Sequence, residues 1–240
     1  MHKIACVGII SKEYLPGATV FFKSLLKYNS NFNLPFVIFK LDNYNYSDLK
    51  KVYKHIIFKK MPNKEYGIFL SKNSRRWKYS PFNRLEIFNL NYDRILYFDF
   101  DILINSNIDY ILNNTSNFTA FKINNENYFS AGVLSIRKKF LNKKTYLKII
   151  KKYKNTEWTG NEPLLNDFFK NKVEFFKDNY HSLTIQQIKT PHSLALLHFV
   201  GNKKPWHHGK LTEKYDAYIF TKNKIETIFT MQQMFNKFLL

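Results

Sequence analysis

Residues 95–104 read I-L-Y-F-D-F-D-I-L-I. Two aspartates, Asp99 and Asp101, interrupt an otherwise apolar run. Burying a carboxylate without a partner costs several kcal/mol, so two of them in such a run need a reason. If the segment is extended, a spacing of two puts both side chains on one face, where like charges repel. A divalent cation resolves that conflict, and oxygen ligands suit Mg2+ or Mn2+. Open α/β sheets bind ligands beyond the carboxyl ends of their strands. An apolar strand running into Asp-x-Asp is therefore a candidate metal and phosphate site, and the competing reading is a surface turn that happens to carry two aspartates.

Working outward, residues 3–10 (K-I-A-C-V-G-I-I), 35–41 (P-F-V-I-F-K-L) and 55–59 read as strands, with a helix over 17–28 after the Pro16-Gly17 break. Strand, helix, strand at this spacing predicts a mostly parallel α/β sheet flanked by helices. Residues 82–90 suit a short helix and 94–98 a central strand. Residues 118–122, 129–136 and 194–200 read as further strands, and 142–154 and 162–170 as helices. The tail from about 213 to 240 has the apolar spacing of one or two amphipathic helices. Neither a linker nor a repeat divides the chain, so a single domain over 1–240 is expected.

Composition excludes several classes. The one cysteine, Cys6, can form no internal disulfide, and a cysteine-based zinc finger fails for the same reason. No stretch approaches the roughly 20 apolar residues of a membrane span, and residues 1–30 do not have the pattern of a secretory leader. The expectation is a cytoplasmic protein, with peripheral membrane contact as the variant. The 38 Lys+Arg against 18 Asp+Glu leave a net charge of +20. Lys, Asn, Ile, Phe and Tyr all have AT-rich codons, and the lysine pairs 50–51, 59–60, 138–139, 143–144 and 151–152 read as scattered. That favours a solvated basic surface over a nucleic-acid footprint, with an acidic acceptor or membrane surface as the other use of the charge. A phosphatase of the Asp-x-Asp-x-Thr/Val type, with Asp99 as nucleophile, is disfavoured because Leu103 stands at the last motif position.

Four segments in order carry a resemblance. V-G-I-I-S-K-E-Y-L-P-G-A (7–18), I-L-Y-F-D-F-D-I-L-I-N-S-N-I (95–108), Y-F-S-A-G-V-L-S-I (128–136) and H-F-V-G-N-K-K-P-W (198–206) resemble the family-8 glycosyltransferases. The resemblance implies the nucleotide-diphospho-sugar transferase fold of GT-A type. It also implies a UDP-sugar donor, Mn2+ (or Mg2+), and hexosyl transfer with retention. Asp99, Asp101 and His198 match the metal ligands. Ile9, Ser11 and Tyr14 match the segment that cradles the base, Lys204 and Gly201 the diphosphate contacts, and Arg84 a basic donor contact. His198 in an apolar strand also reads as a satisfied core histidine, and Trp206 reads either as a sugar-stacking residue or as a core residue. His207 and His208 receive no role beyond an acceptor contact.

Two positions depart from the family pattern. At 160–166, G-N-E-P-L-L-N has Asn161 and Glu162 where the family has Asp-Gln, and F-S-A-G has Ser130 where it commonly has Asn. Both touch the sugar pocket. Asn161 and Glu162 join Asp101 as catalytic candidates, and Ser130 joins the donor contacts. Glu162 has a second reading, a helix N-terminal charge that complements the dipole. The departures motivate an alternative, a catalytically silent sugar-nucleotide-binding homologue. A basic nucleic-acid-binding protein is the alternative from another class. A core over 1–206 and a helical tail over 207–240 are expected, the tail meeting acceptor or membrane. Saccharide, lipid-linked and protein acceptors and homo-oligomerisation are all compatible with the sequence. If the resemblance holds, Asp101 and His198 must meet in space.

Overall fold

The computed structural model describes residues 3–62, 70–71, 81–123, 128–154, 157–158, 160–177, 181–182, 195–199, 204–206 and 233–239. Its strands are β1 (Ile4–Ile10), β2 (Phe36–Lys40), β3 (Ile56–Lys60), β4 (Leu70–Ser71), β5 (Arg94–Phe98), β6 (Ile102–Ile104), β7 (Phe118–Ile123), β8 (Tyr128–Arg137), β9 (Glu157–Trp158), β10 (Glu174–Phe175), β11 (His181–Ser182) and β12 (Leu196–His198). The α-helices are α1 (Leu15–Tyr28), α2 (Ser47–Val52), α3 (Asp109–Leu112), α4 (Lys143–Tyr153) and α5 (Asn161–Phe169), and residues 233–239 are also helical.

Seven strands form the central sheet in the order β10-β7-β8-β5-β1-β2-β3. The run β5-β1-β2-β3 is parallel, and β8 is antiparallel to both β5 and β7. This is the mostly parallel α/β sheet that the strand–helix–strand spacing predicts. Both faces are covered. Ala5, Val7, Val37, Phe39, Ile95 and Tyr97 enter one core with α4 and α5. Their neighbours Cys6, Ile10, Phe36, Ile38, Leu96 and Phe98 enter a second core with α1. The two-residue period of a strand sorts consecutive apolar residues onto opposite faces, which is why these strands read as continuous apolar runs.

Local chemistry sets the helix ends. Pro16 opens α1, where its missing N–H would have been unpaired anyway. The Asn142 side chain accepts from Thr145 N at 2.9 Å and starts α4. Residues Pro81–Asn89 form a 3-10 helix rather than an α-helix. Phe82, Leu85 and Phe88 are all buried, and a three-residue period stacks such positions on one face.

The Asp-x-Asp segment departs from the extended reading. β5 stops at Phe98 and β6 starts at Ile102, so Asp99–Asp101 form a turn between two sheets. β6 belongs to a separate three-stranded sheet with β12 and β11. Phe100 drives the turn inward. It is 2% exposed and packs on Phe21, Phe22 and Phe36 at centroid distances of 5.7, 5.9 and 5.8 Å. α1 can approach the turn because residue 17 is glycine, where a Cβ would lie 2.2 Å from the Phe100 carbonyl oxygen. Truncating Phe100→Ala is expected to cost about 3–5 kcal/mol in urea unfolding, through lost transfer energy and a cavity. A cost near zero would contradict this packing.

Candidate functional site

Strands β1 and β2 end level, Ile10 opposite Lys40, whereas β5 stops two residues earlier, level with Gly8, and the Asp99–Asp101 turn follows it there. Asp99 N donates to Gly132 O at 2.9 Å, continuing the β5–β8 ladder by one bond. Phe199 N donates to Asp101 O at 2.8 Å and ties the turn to the end of β12. β12 runs antiparallel to β6 with His198 opposite Ile102, which delivers the imidazole to the turn from 97 residues away.

The two carboxylates have different surroundings. Asp99 receives Arg84 Nη2 on both oxygens, at 2.7 and 2.8 Å, and the Tyr97 hydroxyl on Oδ1 at 2.6 Å. The Arg84 guanidinium also lies 4.8 Å from the centre of the Tyr97 ring. Asp101 is buried, with His198 Nε2 3.1 Å from Oδ1 and Lys204 Nζ 2.5 Å from Oδ2. Lys204 donates in addition to Phe199 O at 2.8 Å. Burial alone pushes the Asp101 carboxyl up, but the His198 imidazole and the Lys204 ammonium outweigh it and hold the group well below the usual carboxylate range. For His198 the balance is reversed. Burial pulls its pKa down, and the Asp101 carboxylate more than offsets that and leaves it raised.

One ligand atom from each of Asp99, Asp101 and His198 lies within 4.8 Å of the other two. Two carboxylate oxygens and one imidazole nitrogen are a donor set that suits Mn2+ or Mg2+ with a nitrogen ligand, so these residues fit a divalent cation. The close approach of His198 to β8 requires glycine at 132, where a Cβ would fall 2.3 Å from the His198 ring.

Arg84 links this cluster to α5, since its Nη1 donates to Asn161 Oδ1 at 2.8 Å. Glu162 Oε2 accepts from Ala131 N at 2.8 Å on β8. Burial raises the Glu162 pKa, against the opposing pull of the Ala131 N–H and Arg84. Asn166 fixes this end of α5 by accepting from Phe129 N at 2.7 Å and donating to Phe129 O at 2.8 Å. Ser130 is buried, and its hydroxyl accepts from Gly132 N at 3.2 Å on its own strand.

On the other side, Ile9 is partly buried at the end of β1, and buried Ser11 donates to Glu13 Oε1 at 3.1 Å. Tyr14 meets Trp206 edge-on at 5.7 Å, and Lys204 Nζ lies 5.8 Å from the Tyr14 ring centre. Trp206 is buried and packs on Phe235 at 5.4 Å, with Phe199–Phe235 at 5.7 Å. The helix 233–239 therefore braces the turn that carries Lys204. Gly201 and tail residues 207–232 lie outside the described residues.

Four residues at this end of the sheet were missed by the sequence reading: Tyr97, Gly132, Asn166 and Asp42. Asp42 accepts from Lys12 N at 2.8 Å and from the Tyr46 hydroxyl at 2.7 Å. It follows the buried β2 much as Asp99 follows β5, which was a usable signal. Tyr97 carried no such signal, because its apolar neighbours made it read as core.

The model of Glycosyl transferase family 8 matches residues 5–121 and 113–210. Among solved structures, the galactosyltransferase LgtC in complex with donor and acceptor sugar analogues is similar, with a TM-score of 0.67 and 17% identity over 94% of this chain and 95% of that one. The glycosyltransferase GlyE of Streptococcus pneumoniae TIGR4 matches with a TM-score of 0.68 and 19% identity, over 96% of this chain and 64% of that one. The bifunctional glycosyltransferase WbbM matches with a TM-score of 0.63 and 16% identity, over 98% of this chain and 51% of its own. No curated protein sequence matches. At these identities the structural likeness shows the fold, which is of GT-A type.

Removing Lys204 leaves the Asp101 carboxylate buried beside a single partner. Lys204→Met is expected to destabilise by about 3–5 kcal/mol at neutral pH, measured by urea unfolding. The Asp101 pKa is depressed in the folded state, so the contribution of this pairing is present above the unfolded carboxyl value. It is lost as pH falls through the folded value, so the deficit of the variant should shrink in acid.

Proposed function

Because the chain belongs to glycosyl transferase family 8, we propose that it is a metal-dependent hexosyltransferase that uses a UDP-sugar and retains the anomeric configuration. The convergence of Asp99, Asp101 and His198 within 4.8 Å, with Lys204 on Asp101, carries this reading. No helix among the described residues is long and apolar enough to cross a membrane, and saccharide, lipid-linked and protein acceptors all remain compatible.

In this reading Asp99, Asp101 and His198 would hold Mn2+ or Mg2+. Held by these three residues, a divalent cation would supply positive charge opposite the leaving diphosphate without a proton donor. The protein's own groups do the positioning. Lys204 would present its ammonium to the diphosphate, and that ammonium is placed by its bond to the Phe199 carbonyl and by the braced turn at Trp206. Arg84 and Tyr97 fix the orientation of Asp99. Ile9, Ser11 and Tyr14 would line the base side, and Gly201 would allow close approach of backbone to phosphate.

The sugar end rests on Asn161, Glu162 and Ser130. Asn161 holds Arg84 through a neutral amide oxygen, so Arg84 is not divided between two carboxylates. Glu162 supplies the negative charge one position later, anchored to the Ala131 N–H. That carboxylate would stabilise positive charge developing at the anomeric carbon, by analogy with carboxylates in sugar-cleaving sites. Family membership supports this over a nucleic-acid-binding function.

A panel of sugar nucleotides assayed with Mn2+ tests the reading. Consumption of at least one donor is expected, falling about a hundredfold or more in Asp101→Ala. Donors that raise the thermal midpoint but are never consumed would indicate a silent homologue. Gly132→Ala should displace the His198 ring and weaken Mn2+ binding about ten- to a hundredfold by calorimetry. Unchanged affinity would remove His198 from the metal site.

A further inference from the structure

The sequence places eight lysines and no acidic residue in the seventeen positions 138–154, in a chain that has 18 Asp+Glu. The fold gathers them. Thr145, Tyr146, Ile149 and Tyr153 turn α4 inward, which leaves Lys143, Lys144, Leu147, Lys148, Lys151 and Lys152 on its outer face. Lys138 and Lys139 precede the helix and are exposed, as is Lys154 at its end. Three of the lysine pairs, 138–139, 143–144 and 151–152, thus share one plate with Lys148 and Lys154, because Lys144, Lys148 and Lys152 repeat every four positions along the helix.

We propose that this face of α4 docks on an anionic phospholipid bilayer. The partner is identified by what the face contains and by what it omits. Lys138 is paired with Asp93 at 3.2 Å and Lys152 with Asp167 at 2.9 Å. Lys143, Lys144, Lys148, Lys151 and Lys154 form no ion pair among the described residues. Lys143 and Lys144 stand in the first turn, where the helix dipole favours acids, and Lys144–Lys148 and Lys148–Lys152 are like-charge pairs at i, i+4. Nothing within α4 relieves this repulsion, and an anionic surface does.

Leu147 separates a lipid surface from a nucleic acid. It is 51% exposed in the middle of the lysine field. A large apolar side chain surrounded by long cationic stems is the pattern of a helix lying in the headgroup boundary, its lysines reaching outward to phosphate. A nucleic-acid face uses guanidinium forks and open aromatic rings. The plate contains no arginine, and the two tyrosines of α4 are buried. The mode is peripheral, resting on α4 and independent of the proposed donor site.

The test is co-sedimentation of the full chain with vesicles of phosphatidylcholine and phosphatidylglycerol, against phosphatidylcholine alone. Binding to the anionic vesicles only is expected. Lys144→Glu/Lys148→Glu/Lys151→Glu should reduce it about tenfold or more, whereas Lys50→Glu/Lys51→Glu/Lys54→Glu, with the same net charge, should change it by about twofold at most. Leu147→Gln should weaken binding with no change in charge. Circular dichroism and an unchanged thermal midpoint verify that each variant is folded. Equal losses in the two triple variants, or an unaffected Leu147→Gln, would overturn the docking face. So would α4-dependent binding to a duplex oligonucleotide that exceeds binding to vesicles.

Discussion

The buried Asp101 carboxylate is the constraint on which the rest of the site depends. A lone anion at that depth costs several kcal/mol, and the molecule meets the cost with an imidazole and an ammonium from distant segments. Asp101 Oδ1 faces His198 and Oδ2 faces Lys204, while its carbonyl receives the Phe199 N–H. Residues 198–199 and Lys204 are thereby both held to one residue. Asp99, two positions away, is satisfied separately by Arg84 and Tyr97, so the two carboxylates share a turn without sharing a counter-ion.

The packing beneath the site serves the same end. Phe100 anchors the turn in the core under α1, and glycine at 17 lets the helix approach the backbone there. On the far side, Trp206 sits between Tyr14 and Phe235 and shares a core cluster with Val20 of α1, joining the Lys204 turn to α1 and to the last described helix. Apolar contact positions the cation, and the cation offsets the buried anion. Neither contribution is separable from the other, so substitutions at Trp206, Lys204 and Asp101 are expected to couple rather than add.

Charge is organised at two levels. Inside the site, Arg84 and Lys204 each have a defined carboxylate within hydrogen-bonding distance. Outside, a large part of the net positive charge is carried by lysines in solvent, and those of 138–154 are aligned by α4 into a single face. Codon bias accounts for an abundance of lysine. It does not account for the absence of acids over that stretch.

The sequence by itself determined the class of the fold. Continuous apolar strands alternating with helical spacing require a sheet buried on both sides, because period-two alternation sends neighbouring apolar residues to opposite faces. It also marked the chemistry: Asp99 and Asp101 stood out as carboxylates in an apolar run, and the family resemblance singled out His198, Lys204 and the Asn161–Glu162 pair. Only the tertiary structure decided how they meet. The Asp-x-Asp segment is a turn whose middle residue, Phe100, is buried against α1. Tyr97 and Gly132 matter only because Asp99 and the His198 ring lie against them. These are contacts between segments distant in sequence, and no local period encodes them.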